Sequence, residues 1–242
     1  GKGVIGMGTR KESVVQGEGE DFIEHLFTAS THDYLMFFTN TGRVYVRRVH
    51  EIPDMGRAAK GRNIANLLEL QSGEKIAALI RVESQQDENK KDLTWQQERF
   101  LFFATQSGTV KKTALSAYAN VRRTGINAIG INEGDRLITV KLTTGHDEVV
   151  LITSDGKSIR FNEENVRSMG RTAAGVRGIR LGTKDRLVAA AIVAKEATLL
   201  VAGENGIGKR TGFDEYRVQS RGGKGIITMK TTAKTGEVCG AL

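Results

Sequence analysis

Apolar and polar positions along this chain fall into paired short runs, each pair broken by a glycine turn. Tyr34-Leu35-Met36-Phe37-Phe38 passes through Asn40-Thr41-Gly42 into Arg43-Val44-Tyr45-Val46-Arg47-Arg48-Val49. Runs rich in β-branched and aromatic residues on either side of a short glycine turn predict a β-hairpin. The second run alternates cation or tyrosine with valine, which predicts one apolar and one basic face. The unit returns three times. Phe100-Leu101-Phe102-Phe103 leads through Gln106-Ser107-Gly108 into Thr109-Val110-Lys111-Lys112. Val149-Val150-Leu151-Ile152 leads through Asp155-Gly156 into Lys157-Ser158-Ile159-Arg160-Phe161. Leu199-Leu200-Val201-Ala202 leads through Asn205-Gly206 into Ile207-Gly208-Lys209-Arg210.

Each hairpin is followed by a polar stretch, then a glycine set before an apolar residue, then another strand-like run. The glycine element occurs five times, in Gly1-Lys2-Gly3-Val4-Ile5, Ala59-Lys60-Gly61-Arg62-Asn63-Ile64, Arg123-Thr124-Gly125-Ile126, Ala174-Gly175-Val176-Arg177 and Gln219-Ser220-Arg221-Gly222-Gly223-Lys224-Gly225-Ile226-Ile227. Glycine reaches φ > 0 and lets backbones approach closely, so the recurrence reads as one backbone device reused. The runs that close the units begin at Lys75, Arg136, Arg186 and Glu237. Gly8 to Gly19 reads as a polar connector before the apolar run Phe22–Phe27, and Gly56–Leu70 as the one stretch admitting a helical turn. Turn glycines Gly108, Gly156 and Gly206 are about fifty residues apart, the length of a four-stranded propeller-type blade. Gly42 to Gly108 is longer because a polar segment at about 83–97 is inserted between blades; its Trp95 is expected to pack locally. Four hairpins and a leading fragment predict an all-β radial array of about five four-stranded blades in one domain, 1–242. The chain starts inside a repeat element and stops in an apolar run, so it reads as a piece of a longer array.

Composition narrows the class. The 242 residues include 29 glycines but one proline, and 39% are hydrophobic, which fits many tight turns around a real core. The 36 Lys+Arg outnumber the 28 Asp+Glu for a net charge of +8, which points toward a polyanion. The single cysteine, Cys239, excludes an internal disulfide framework or a multi-cysteine zinc site and fits a reducing compartment. No run approaches the length of a membrane helix, and the expected setting is cytoplasmic, without a membrane partner.

Catalytic and nucleotide motifs fail on context. Gly1-Lys2-Gly3-Val4-Ile5-Gly6 spells G-x-G-x-x-G without the preceding strand and following helix that a dinucleotide site needs. Gly203 to Lys209 spells G-x-x-x-x-G-K, but Arg210 stands where a phosphate loop needs Ser or Thr, and the position matches the hairpin turn of the other repeats. His25, His32, His50 and His146 show no metal-ligand spacing, and no nucleophile elbow is present. No catalytic residue, metal site or cofactor is expected in the chain.

The basic positions recur in phase: Arg43/Arg47/Arg48, Arg57/Lys60/Arg62, Lys111/Lys112, Arg122/Arg123, Lys157/Arg160, Arg167/Arg171/Arg177/Arg180, Lys209/Arg210 and Arg217/Arg221/Lys224. In a radial array, equivalent positions of successive blades lie around one rim. A charged belt on a curved surface suits a bent duplex, whose phosphates it would neutralise with little sequence readout. RNA is the other polyanion, but a single-strand binder would carry more stacking aromatics than the 6% present.

The assembled motifs resemble the C-terminal domain of the DNA gyrase A subunit. Gln219-Ser220-Arg221-Gly222-Gly223-Lys224-Gly225 is similar to the family's GyrA box, Gln-Arg-Arg-Gly-Gly-Lys-Gly, with Ser220 in place of one arginine. Gly1-Lys2-Gly3 resembles the end of a box. Thr31-His32-Asp33, Gly42-Arg43-Val44-Tyr45, Gly108-Thr109-Val110-Lys111-Lys112-Thr113, Gly175-Val176-Arg177-Gly178-Ile179-Arg180-Leu181 and Gly206-Ile207-Gly208-Lys209-Arg210-Thr211 also look like this family. The resemblance implies a β-pinwheel, in which blades are assembled differently from a true propeller. It implies a duplex wrapped around the basic rim, giving the chirality that negative supercoiling requires. Lys2, Gln219, Arg221 and Lys224 join the in-phase cations as implied DNA contacts, with Gly1, Gly3, Gly222, Gly223 and Gly225 as box glycines. Implied partners are the gyrase B subunit together with the rest of the A subunit, in an A2B2 holoenzyme that would use ATP and Mg elsewhere, in the nucleoid. The isolated domain is expected to be monomeric. Two departures stand out: the family commonly has about six blades, and its box sits at the first blade rather than late. The equivalent tail of topoisomerase IV and a propeller-type interaction scaffold are the alternatives.

Overall fold

The computed structural model describes residues 25–56, 59 and 61–242. Gly1, Lys2, Gly3, the Gly8–Gly19 connector, the first half of the Phe22–Phe27 run, Arg57 and Lys60 lie outside them. The described residues form four antiparallel sheets, with strands numbered in chain order. Sheet one runs β3 (Ile76–Val82), β1 (Tyr34–Thr39), β2 (Arg43–Arg48), β6 (Ile126–Asn127). Sheet two runs β7 (Leu137–Thr143), β4 (Phe100–Thr105), β5 (Thr109–Ala114), β10 (Val176–Arg177). Sheet three runs β11 (Leu187–Ile192), β8 (Glu148–Thr153), β9 (Lys157–Asn162), β14 (Ile226–Ile227). Sheet four has three strands, β15 (Val238–Ala241), β12 (Thr198–Gly203) and β13 (Gly208–Gly212). The four expected hairpins and the four runs that close the units are all present. The leading fragment counted toward a fifth blade falls outside the described residues.

Each short fourth strand comes from the next repeat. The echo after hairpin β4–β5 supplies β6 to sheet one, pairing Val44 with Ile126 and Arg43 with Asn127. The echo after β8–β9 supplies β10 to sheet two, and the echo after β12–β13 supplies β14 to sheet three. This exchange is the pinwheel arrangement. The turn glycine of each hairpin is its anchor: the Gly42 carbonyl accepts the Ala128 and Ile129 N–H groups, Gly108 accepts Gly178 and Ile179, and Gly156 accepts Thr228 and Met229. At Gly42, φ is +89° and a Cβ would stand 2.6 Å from the Ile129 carbonyl oxygen, so glycine is required twice over.

The middle strands β1, β4 and β8 are buried on both faces, which is why they read as continuous apolar runs, whereas β12 leaves Thr198 and Leu200 exposed. Met36 and Phe38 of β1 face Leu101 and Phe103 of β4, while Phe102 and Ala104 face Val149 and Leu151 of β8. Val150 and Ile152 then face Leu199 and Val201 of β12. Phe38 and Phe103 meet edge-on with ring centroids 5.5 Å apart. Fully burying each such side chain contributes roughly 1.5–3 kcal/mol. The closing strands β3, β7, β11 and β15 touch one another in series, so they form the inner side of the array and the echo strands its outer edge. Ile64–Asn66 forms the one turn of helix-like structure expected in Gly56–Leu70, here a 3-10 turn capped by Asn63. The inserted segment closes on itself through a Gln86–Asp92 bridge, and Trp95 packs against Tyr34 with centroids 5.1 Å apart.

Candidate nucleic-acid interface

The in-phase cations divide into two classes that the sequence did not separate. On sheets one to three, those three to five residues after the turn glycine point into the junction with the next repeat. Lys111 is fully buried; its Nζ donates to the carbonyls of Ala128 at 2.7 Å and Arg171 at 2.6 Å. Burial, with the Arg171 charge adding to it, pulls its pKa down to about 7. Lys112 is buried as well and donates to the Glu163 carbonyl at 3.2 Å. Arg160, one repeat on, is paired with Glu148 and donates to the carbonyls of Phe213 at 2.6 Å and Tyr216 at 3.2 Å. Arg47 is 2% exposed and donates to the carbonyls of Leu67, Val46 and Arg123. Its pKa is lowered by burial and by the neighbouring Arg123 charge. Arg47, Lys111 and Lys112, expected from the sequence as phosphate contacts, are instead found enclosed, and each already donates to backbone carbonyls. Arg160 is likewise committed to the junction. Arg43 donates to the Thr124 carbonyl and lies 3.4 Å from Glu74, and Arg48 pairs with Asp92 over the Tyr34 ring.

Lys209 and Arg210 hold the positions equivalent to Lys111 and Lys112 on sheet four, yet both are exposed. Among the described residues no strand pairs with β13 on its far side, so the enclosure found around Lys111 is not repeated there.

The second class sits on or beside the outer strands. Arg122, Arg123, Arg177 and Lys224 are exposed, and Lys157 is half-buried at the head of β9. Arg123 carries an exposed ion pair with Glu51 at 3.2 Å. Arg62 is exposed on the second echo. Arg180 follows Gly175 by five positions; Lys230 follows Gly225 by five and is also exposed. Lys230 was not among the cations expected from the sequence, and its signal was the repeat offset from Arg180. Gln219 is half-buried with its backbone N–H donated to the Arg160 carbonyl at 2.7 Å. Arg221 is half-buried and donates to the carbonyls of Asn165 and Arg177. Gly222 (φ +82°) and Gly225 (φ +74°) supply the left-handed turns of the box-like stretch, and Gly223 accepts the Arg180 N–H. Several carboxylates meanwhile face inward to cap turns: Asp135 accepts from Thr105 and Ser107, and Asp185 from Ser154 and Asp155. No group of three or more His, Cys, Asp or Glu side chains suited to a metal occurs among the described residues.

The model of the DNA gyrase C-terminal domain, beta-propeller, matches residues 33–83, 99–144, 147–194 and 197–241, one segment for each sheet. The chain belongs to that family. It is 43% identical over 235 residues to the DNA gyrase A subunit of Salmonella typhimurium, covering 97% of this chain and 26% of that protein. It is 41% identical to the DNA gyrase A subunit of Mycolicibacterium smegmatis, covering 100% of this chain and 27% of that protein. The chain thus spans about a quarter of the length of these relatives. Among solved structures, the C-terminal domain of DNA topoisomerase IV superposes with a TM-score of 0.76 at 29% identity, over 88% of this chain and 64% of that one. A DNA gyrase A C-terminal domain superposes with a TM-score of 0.73 at 24% identity, over 98% and 73%, a likeness of fold. The gyrase C-terminal pinwheel expected from the box-like and repeat motifs is therefore the architecture found.

Proposed function

We propose that this gyrase-family domain binds duplex DNA along its outer edge and bends it into a chiral wrap, serving a type II topoisomerase that introduces negative supercoils. The observation that carries this reading is the placement of exposed cations at successive outer strands: Arg122 and Arg123 beside β6, Arg177 and Arg180 at β10, Lys224 and Lys230 around β14. Lys and Arg so arranged neutralise phosphates and release counterions without reading bases. Smoothly bending a 20–30 bp site costs on the order of 1–6 kcal/mol, which several phosphate contacts spread over consecutive blades offset. The domain itself is non-catalytic in this reading. Strand cleavage and the use of ATP and Mg belong to the gyrase B subunit or to the remainder of the A subunit, its partners in a cytoplasmic, nucleoid-associated A2B2 assembly.

The test is a topoisomer shift. A nicked plasmid is religated with the domain bound, and the linking-number change is read after the protein is removed. A positive shift that grows with protein is the expected result; absence of duplex binding at low salt would refute the reading. The 29% identity and TM-score of 0.76 to the topoisomerase IV domain favour a second reading, a bending module. It predicts tight binding with no shift.

A further inference from the structure

The outer edge is held together differently from the inner side. Inside, β3, β7, β11 and β15 pack through apolar side chains. Outside, neighbouring echoes are joined by hydrogen bonds. The Gly130 N–H donates to the Ala173 carbonyl at 3.1 Å, and one repeat later the Arg180 N–H donates to the Gly223 carbonyl at 2.8 Å. Across the second link the Gly222 N–H also donates to the Gly178 carbonyl at 2.6 Å. One arginine recurs in this belt. Arg171 and Arg221 each stand four residues before an echo glycine, Gly175 and Gly225. Arg171 Nη1 donates to the Asn127 carbonyl at 3.3 Å, and Arg221 Nη1 donates to the Arg177 carbonyl at 3.1 Å. Asn127 and Arg177 are themselves equivalent, the second residues of β6 and β10. Arg221 uses Nε as well, reaching the Asn165 carbonyl at 2.9 Å. At the preceding echo the position is Val121, which packs into the core between sheets one and two.

We infer that Arg171 and Arg221 are positioning residues that set the spacing of successive outer strands, and with it the pitch of the bound duplex. The inference rests on the wrapping reading. It changes the meaning of the box-like stretch, because Arg221 serves as an inter-blade clamp and the exposed Lys224 beside it remains the phosphate ligand. At Arg221 a guanidinium suits the clamp because its planar fork reaches two carbonyls at once, whereas an ammonium is a single point donor. Loosening the clamp leaves every exposed cation in place, so affinity and its salt dependence persist. What is lost is the fixed rise from one blade to the next that gives the wrap its hand.

The experiment compares the 242-residue chain with Arg171→Ala, Arg221→Ala, the double variant and Arg221→Lys. Three readouts are taken: thermal melting, the slope of log K against log salt on linear duplex, and the linking-number shift at saturating protein. The expected result is an unchanged salt slope in every variant, with most of the linking-number shift lost, furthest in the double variant. Arg221→Lys keeps the slope and loses the shift. A slope shallower by about 0.9 for each arginine removed, with Arg221→Lys restoring both slope and shift, would identify phosphate ligands and overturn the inference. A full shift in all variants overturns it too. Should melting show that Arg221→Ala does not fold, Arg171→Ala and the charge-conserving Arg221→Lys decide between the same outcomes. A wild-type chain that binds without any shift removes the wrapping reading itself, which is a separate result from variants that wrap normally.

Discussion

At the residue scale, what a cation does depends on what covers it. Lys111 and Lys209 occupy one position of the repeat, and only Lys111 is enclosed by the following echo. Its folded-state pKa of about 7 lies below the ordinary 10.5, so between those values the unfolded chain binds the extra proton. Stability contributed through Lys111 therefore rises with pH across that window and is lowest below it, where both states are protonated. Urea unfolding at pH 6, 8 and 10 should show the wild type gaining on Lys111→Met as pH increases; a constant difference would mean the ammonium is not desolvated. The turn glycines carry a different constraint. Gly156 has φ +76°, and a Cβ there would meet the Met229 carbonyl, so Gly156→Ala should destabilise by about 1–3 kcal/mol in the same assay. The glycines were legible in the sequence, since a left-handed turn leaves few other choices. The fate of the lysines was not, because both classes recur in phase and only the packing of the next repeat tells them apart.

At the scale of elements, the hairpins were legible because a two-face-buried strand and a glycine turn leave a dense local signal. Tyr34–Thr39 with Arg43–Arg48, and its three repeats, stand where the pattern put them. The outer strands carried less information. β6, β10 and β14 are two residues each, too short for an alternation to register, and their partners lie a repeat away. The Gly-x pairs that mark them were visible as a recurrence, while the exchange that makes each the edge of the previous blade is a property of tertiary packing. The same exchange explains Arg160, which ties β9 to the 3-10 turn Phe213–Glu215 of the following repeat through the Phe213 carbonyl and to Glu148 on its own sheet. Removing one partner of such a largely buried pair strands the other, and Arg160→Met should lower stability by about 3 kcal/mol in urea unfolding. Its DNA salt slope should match wild type, since the guanidinium faces the junction. A slope change at unchanged stability would return Arg160 to the DNA-binding surface.

At the scale of the whole molecule, a net charge of +8 is a weak guide until it is placed. Carboxylates such as Asp135, Asp185 and Glu163 are drawn into turn caps and junctions, and buried cations such as Lys111 and Arg47 are drawn inward with them. Other carboxylates, Glu133, Asp155 and Glu204 among them, stay exposed, while the edge strands carry exposed Lys and Arg such as Arg177, Lys224 and Lys230. Counterion release makes that set countable: each phosphate neutralised steepens the plot of log K against log salt by about 0.9. Lys224→Gln, Arg177→Gln and Lys230→Gln should therefore each flatten the slope by about that amount on linear duplex, roughly alike on unrelated sequences. Lys112→Met should leave it unchanged, because that side chain is enclosed against Glu163. Equal flattening by Lys112→Met would mean that the junctions open on DNA and that the division into inner and outer cations fails. If the division holds, binding strength resides in the exposed edge cations and the packing of the inter-repeat junctions in the buried ones. The two are then separable by mutation, because the repeat uses one residue type for both tasks at different depths.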